Sequence, residues 1–167
     1  MQKSAPTGKS SKAGSNPKQQ LDSFLDKFSP ELAAEGRRIL AKMRKRLPNA
    51  VELVYDNYNA LACGFGPSEK SSEAIFSIAL FPRWVSLFFL QGATLPDPDH
   101  LLKGSGNVVR HIVLGSAADL DKPEIRSLMD RALRRARVPI HASTRRQLII
   151  RSVSAKQRPR RPAGKRK

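Results

Sequence analysis

The residues best suited to chemistry in this chain lie in one segment, from Asp97 to His111. Two glycines, Gly104 and Gly106, stand two positions apart, and the pair Arg110-His111 follows them. Backbone N–H groups around closely spaced glycines can form a concavity that binds an anion, with an arginine as a clamp. The simpler interpretation is a turn leading into a strand, where glycine adopts positive φ at low cost. The candidate ligand-binding residues are Asp97, Asp99, Lys103, Gly104, Gly106, Arg110 and His111.

The same residue types do not combine into a catalytic arrangement. No motif around Cys63, Ser105 or Ser116 supplies a nucleophile with an oriented base. The favoured interpretation of His111 is a structural histidine. The alternative interpretation is a general base. The two glycines precede a strand rather than a helix, so the sequence supports neither a dinucleotide fingerprint nor a phosphate loop. One cysteine and three scattered histidines also do not have the spacing of a zinc site. We therefore expect a protein that is not an enzyme.

A second group of candidate residues consists of arginines near the C-terminus. Clustered cations bind phosphate backbones without sequence preference, so this segment suggests nucleic-acid binding. The alternative is a tail that only improves solubility. A short apolar run, Leu148-Ile149-Ile150, interrupts the basic segment and either docks on the domain as an edge strand or lies free. The candidate nucleic-acid residues are Arg145, Arg146, Arg151, Arg158, Arg160 and Arg161.

The distribution of charge divides the chain into three parts. The net charge is +17 over 167 residues, yet the middle of the chain is close to neutral. Residues 1–20 hold four lysines and no acid, and residues 141–167 hold ten lysines and arginines and no acid. Both ends have too little apolar surface to offset the entropy of ordering. We predict disordered basic tails at 1–20 and 141–167 around a single domain at 21–140.

The periodicity of apolar residues predicts an α+β domain. Helical spacing marks two N-terminal helices and one helix near the C-terminal end of the domain. Between them lie five segments rich in Val, Ile, Tyr and Phe, bounded by turn residues. The connections among these segments are too short for parallel crossovers, so the sheet is predicted to be antiparallel. The predicted helices are 21–28, 30–47 and about 123–136, and the predicted strands are 51–55, 60–65, 74–81, 83–91 and 108–114.

The stretch from Gly92 to Ile112 resembles the signature of the YdhG-like family of uncharacterised bacterial domains. An Asp97-Pro98 turn, a Leu-Leu pair, Gly104-x-Gly106 and Arg110-His111 follow an aromatic-rich strand, although Asn107 stands where lysine is frequent in the family. The resemblance covers residues 21–136. It implies helices packed on an antiparallel sheet of about five strands, in a frataxin-like arrangement. Most members have no assigned activity, and one branch is described as an intracellular iron chaperone.

An iron chaperone would hold its metal on carboxylates, so the resemblance directs attention to paired acids. Oxygen ligands suit a hard iron ion. The simpler interpretation is that these acids stabilise helix starts and turns. No other cofactor is evident. The pairs are Asp22/Asp26, Glu31/Glu35, Asp97/Asp99 and Asp119/Asp121.

Together these observations favour a cytoplasmic, non-enzymatic module that binds or carries a small ligand or a metal. The single cysteine suits a reducing compartment. The longest apolar run is much shorter than the roughly 20 residues that cross a bilayer, so we expect no membrane association. The alternative is a nucleic-acid-associated accessory protein that acts through its basic tails.

Overall fold

The computed structural model describes residues 16–163, and its first element is the helix α1, Pro17–Leu25. The Asn16 side chain accepts a hydrogen bond from the Gln19 N–H, and the Gln19 side chain accepts one from the Asn16 N–H. This capping box satisfies two backbone donors at the helix start. Residues 17–20, expected in the basic tail, therefore belong to α1. The remainder of that predicted tail, residues 1–15, lies outside the described residues.

The second helix, α2, spans Pro30–Arg46, as its sequence pattern predicts. The Ser29 side chain accepts a hydrogen bond from the Leu32 N–H, and proline occupies the first helical position, where its missing donor costs nothing. The apolar face of α2 is buried and contains Ala33, Gly36, Ile39, Leu40 and Met43.

Five consecutive strands form an antiparallel meander. Each pairs with the next, and the paired residues Val54, Cys63, Ile78, Leu87 and Ile112 lie in register across one face of the sheet. All five belong to the buried core between this face and the helices. The α+β class and the five predicted strands are thus confirmed. The strands are β1 (Val51–Asp56), β2 (Leu61–Gly66), β3 (Phe76–Leu80), β4 (Val85–Phe89) and β5 (Arg110–Leu114).

The sheet has a sixth strand, β6 (Gln147–Val153), in the segment that we expected to be a disordered tail. It pairs in parallel with β1, and the strand order is β5-β4-β3-β2-β1-β6. Residues 115–146 carry the chain from β5 at one edge of the sheet to β6 at the other. Leu148 and Ile150 pack against the core, so the apolar run docks as an edge strand. The folded domain accordingly continues past residue 140.

The third helix, α3 (Pro123–Arg135), lies within the connection from β5 to β6. Its apolar face buries Ile125, Leu128 and Met129 in the core. Within residues 16–163, no helix is long and apolar enough to cross a membrane.

Candidate functional site

A cleft of about 610 Å³ opens at the end of the sheet where β4 stops and β5 starts. Three segments form its walls: residues 72–75 before β3, residues 89–95 from the last residue of β4 onward, and residues 132–138 at the end of α3. Buried apolar side chains, Ile75, Phe89 and Leu95, contribute to the lining. Clefts of this volume commonly hold small molecules. We call this feature the sheet-end cleft.

The wall after β4 lies directly against β5 because position 92 has no side chain. A Cβ atom on Gly92 would lie 2.7 Å from the Arg110 Cβ and 3.0 Å from the Phe89 Cβ. The Ala93 N–H donates a hydrogen bond of 2.9 Å to the Val108 carbonyl, which joins the wall to the chain entering β5. The shape of the sheet-end cleft therefore depends on this close approach.

Two arginines give the sheet-end cleft its charge. Arg135, in the last turn of α3, and Arg137 are both exposed and line the cleft. Neither guanidinium group has a hydrogen-bond or ion-pair partner within residues 16–163. The one acid of the lining is Glu73, which accepts a hydrogen bond from the Ser68 hydroxyl and lies 4.0 Å from the Lys70 Nζ. The positive charges are thus free and the negative charge is largely satisfied.

The polar groups of the segment from Asp97 to His111 mostly bind one another. The Asp97 carboxylate accepts hydrogen bonds from the Leu101 and Leu102 N–H groups, at 2.9 and 2.8 Å. The Arg110 guanidinium donates to the carbonyls of Gly106 and Val109. Asp97 and Arg110 are therefore engaged in holding the loop.

The remaining predicted ligand residues also lie outside the sheet-end cleft. Lys103 and His111 exchange two backbone hydrogen bonds, and the His111 ring lies 5.3 Å from the Phe88 ring. Gly104 has a φ of 124°, which favours glycine, whereas a Cβ on Gly106 would meet no atom within 4 Å. Lys103 and Asp99 are exposed. The segment adjoins the cleft but contributes no side chain to its lining.

The six arginines predicted to bind nucleic acid separate into two groups. Arg145, Arg146 and Arg151 are exposed and have no side-chain partner among the described residues. The other three hold the chain after β6 against the domain. Arg158 lies 5.6 Å from the Tyr58 ring centroid, and Arg161 donates to the carbonyls of Asp26 and Lys27, just after α1. Arg160 is only 4% exposed, which removes it from contact with a phosphate backbone.

Arg160 belongs to a buried ion-pair cluster centred on Asp56, the last residue of β1. The Asp56 carboxylate is fully buried and lies 2.8 Å from both the Arg160 Nη2 and the Lys27 Nζ. Arg160 also donates to the carbonyls of Asn57 and Tyr58. Burial alone would raise the pKa of Asp56, but hydrogen bonds from Lys27, Gln157 and Arg160 outweigh it and lower the pKa below its ordinary value. We call these three charged residues the Asp56 cluster.

The carboxylate pairs considered for iron are mostly engaged with other partners. Both Asp22 and Asp26 face Arg37, and the Asp97 carboxylate caps backbone donors. Of the other pairs, Glu35 binds Arg38 and the Ala117 N–H, Asp119 binds Lys122 and the Gly115 N–H, and Asp121 binds Lys42. Residues 16–163 contain no group of three or more His, Cys, Asp or Glu side chains placed to hold a metal ion. These carboxylates do not fit an iron site.

Sequence reasoning did not single out the two arginines of the sheet-end cleft, Arg135 and Arg137. The sequence nevertheless contains a signal that could have identified these two arginines. Neither Arg135 nor Arg137 has an acid three or four positions away, and no acid follows Asp130 in the chain. The other walls of the cleft come from segments about 45 and 65 residues earlier in the chain.

Comparisons with models of protein families, with curated proteins and with solved structures find no match for this chain.

Proposed function

We propose that this protein binds a small organic anion with an apolar body in the sheet-end cleft, and that it carries this ligand without converting it. The observation that supports the proposal is a pair of guanidinium groups, Arg135 and Arg137, that have no partner within residues 16–163 and line a cleft with buried apolar side chains. An exposed arginine without a partner is a ready donor for a carboxylate, a sulfonate or a phosphate.

The balance of charges favours a ligand with one or two negative charges. Two guanidinium groups contribute +2, and Lys70 lies close enough to Glu73 to offset much of its charge. The C-terminal end of α3 opposes this with about half a negative charge from its unsatisfied carbonyls. The positive charge exceeds the negative, so an anion is attracted. A larger polyanion gains little here because only two cations line the cleft.

The chemistry of the lining supports binding rather than catalysis. The cleft lining includes no histidine, cysteine or lysine, and within residues 16–163 neither of its hydroxyl groups, Ser72 and Thr94, is hydrogen-bonded to a base. A hydroxyl without a base is a weak nucleophile. The single thiol, Cys63, is buried in the core, and burial raises its pKa well above the ordinary value. The role that remains for the cleft is recognition.

The test is titration of the full chain with 8-anilinonaphthalene-1-sulfonate, a fluorescent apolar anion. We expect saturable binding with one site. An Arg135→Ala substitution should weaken it about tenfold, since a hydrogen bond to a charged group contributes roughly 1.5–3 kcal/mol and screening lowers that figure at an exposed site.

The matched control is Arg134→Ala, which removes an exposed arginine of the same helix turn that does not line the cleft. This control should change the affinity less than twofold. Equal losses in the two variants would show that net charge alone attracts the probe, and the proposed site would then be wrong.

We also propose that the domain is YdhG-like, with a frataxin-like packing of helices on a sheet. The support is the resemblance of residues 92–112 together with the order of elements, two helices, five antiparallel strands and a helix. The parallel strand β6 is an addition to the arrangement that the resemblance implies. Solution of an experimental structure in which α1 and α2 lie on opposite faces of the sheet would contradict this proposal.

A further inference from the structure

We propose that the outer side of β6 binds the phosphate backbone of nucleic acid through Arg145, Arg146 and Arg151. We call these residues the β6 arginines. The first two immediately precede β6, and the third lies within it. All three side chains are exposed and without a partner among residues 16–163. β6 is the terminal strand of the sheet, so its outer edge also presents backbone N–H groups, which commonly contact phosphates.

No free negative charge on a contacting element cancels the field of the β6 arginines. β6 pairs with β1, and both acids of β1 are buried in ion pairs: Glu52 with Arg44, and Asp56 within its cluster. The helix that packs on β6 is α1, whose acid Asp22 lies near Arg37. Among residues 131–163 there are ten arginines, one lysine and no acid. Within residues 16–163, the elements packed on β6 therefore add no unpaired carboxylate to the charge of the β6 arginines.

The geometry and the residue type fit nucleic acid in particular. Seven residues of extended chain span about 20 Å, a length over which duplex DNA presents about six phosphates per strand. Arginine outnumbers lysine here, and the guanidinium fork binds phosphate oxygens in pairs. An anionic lipid surface attracts the same charges, but the arginines lie within and just before one edge strand, an arrangement that suits a linear polyanion. The β6 arginines are separate from Arg135 and Arg137, so this inference does not rest on the sheet-end cleft.

The experiment measures the affinity of the full chain for a 20-base-pair DNA duplex as a function of salt. The test variant carries Arg145→Ala, Arg146→Ala and Arg151→Ala together. The matched control removes three other cations whose side chains have no partner among the residues described, with Lys45→Ala, Arg83→Ala and Lys103→Ala. A variant with lysine at the three β6 positions keeps the charge and guards against a folding defect.

Each phosphate contact contributes about 0.9 to the slope of log affinity against log salt. Loss of three contacts should therefore lower the magnitude of the slope by about 2.7 and the affinity at 0.1 M salt by about 500-fold. The control should lose less than about one unit of slope, and the lysine variant should keep most of the slope.

Two results would overturn the inference. The first is an equal loss in the test and control variants, which would assign DNA affinity to net charge. The second is unchanged DNA affinity in the test variant. Aggregation of that variant would then show that the charges protect an edge strand, and lost binding to vesicles of anionic lipid would show that they bind a lipid surface.

Discussion

Substitution of Asp56 by alanine should destabilise the domain more than any exposed charge change. The carboxylate is fully buried, and its removal leaves the Arg160 guanidinium, with a side chain only 3% exposed, facing carbonyls but no countercharge. Lys27 is 41% exposed and can turn its ammonium group to water. The cost of the substitution therefore falls mainly on Arg160.

Removal of one partner from a buried ion pair typically costs about 3–5 kcal/mol, and we expect Asp56→Ala to fall in this range. For a domain of this size the loss corresponds to a melting temperature lower by roughly 10 °C. Arg160→Ala should cost less, about 2–3 kcal/mol, because Lys27 continues to neutralise Asp56. The double variant should cost at least about 1 kcal/mol less than the sum of the single variants, since it leaves no buried charge unpaired.

Urea denaturation followed by circular dichroism measures these differences, with an unchanged slope as the check on two-state unfolding. Arg161→Ala is the matched control, because that neighbouring residue makes only long hydrogen bonds of 3.3 and 3.4 Å to carbonyls. The control should stay within about 0.5 kcal/mol of the parent. If Asp56→Ala and Arg160→Ala both behaved like the control, the docking of residues 154–163 on β1 would be refuted.

The pH dependence of the free energy of unfolding provides a second test of the role of Asp56. The pKa of Asp56 is lower in the folded state than its unfolded value near 3.9, so its charged form stabilises the fold. This contribution is complete above about pH 5 and is lost as the pH falls through the folded-state pKa. The parent should therefore lose more stability than Asp56→Ala between about pH 5 and pH 3. Parallel curves for the two proteins would contradict the assignment.

The remaining predictions concern the core and the loop beside the sheet-end cleft. Leu87→Ala should cost about 2–5 kcal/mol in urea denaturation, because Leu87 is fully buried, and Phe88→Ala on the half-buried opposite face should cost less. A larger loss in the Phe88 variant would mean that the opposite face is covered. Gly104→Ala should cost about 1–3 kcal/mol because φ is 124°, whereas Gly106→Ala, in open space, should be neutral or slightly stabilising. Equal effects of the two glycine substitutions would count against the loop geometry.

Local pattern was sufficient for most of the secondary structure. Helix α2 is marked at its start by Ser29 and Pro30, and its apolar residues recur at helical spacing. The five antiparallel strands are short, β-branched and aromatic segments between turn residues. These features depend on neighbours within a few positions, which is why the sequence predicts them.

Two parts of the molecule depend on contacts between distant residues. The strand β6 contains only a short apolar run inside a basic segment, and it is a strand because it pairs with β1, about 95 residues earlier. Arg160, which composition assigns to a solvated tail, is buried because Asp56 lies at the end of that same strand. No local sequence pattern identifies β1 as the partner of β6 or Asp56 as the partner of Arg160.

The candidate site also combines features that the sequence predicts with features that only the fold decides. The sequence by itself determined the charge of the chain, the helices, the meander and a conspicuous loop from Asp97 to His111. Only the tertiary structure decided that the polar groups of this loop largely satisfy one another. It also decided that Arg135 and Arg137 find no partner in the described part of the chain and line a cleft built from three separate segments. The physical reason is that a residue's type sets what it can bind, whereas the atoms brought within reach by the fold decide which of those bonds it makes.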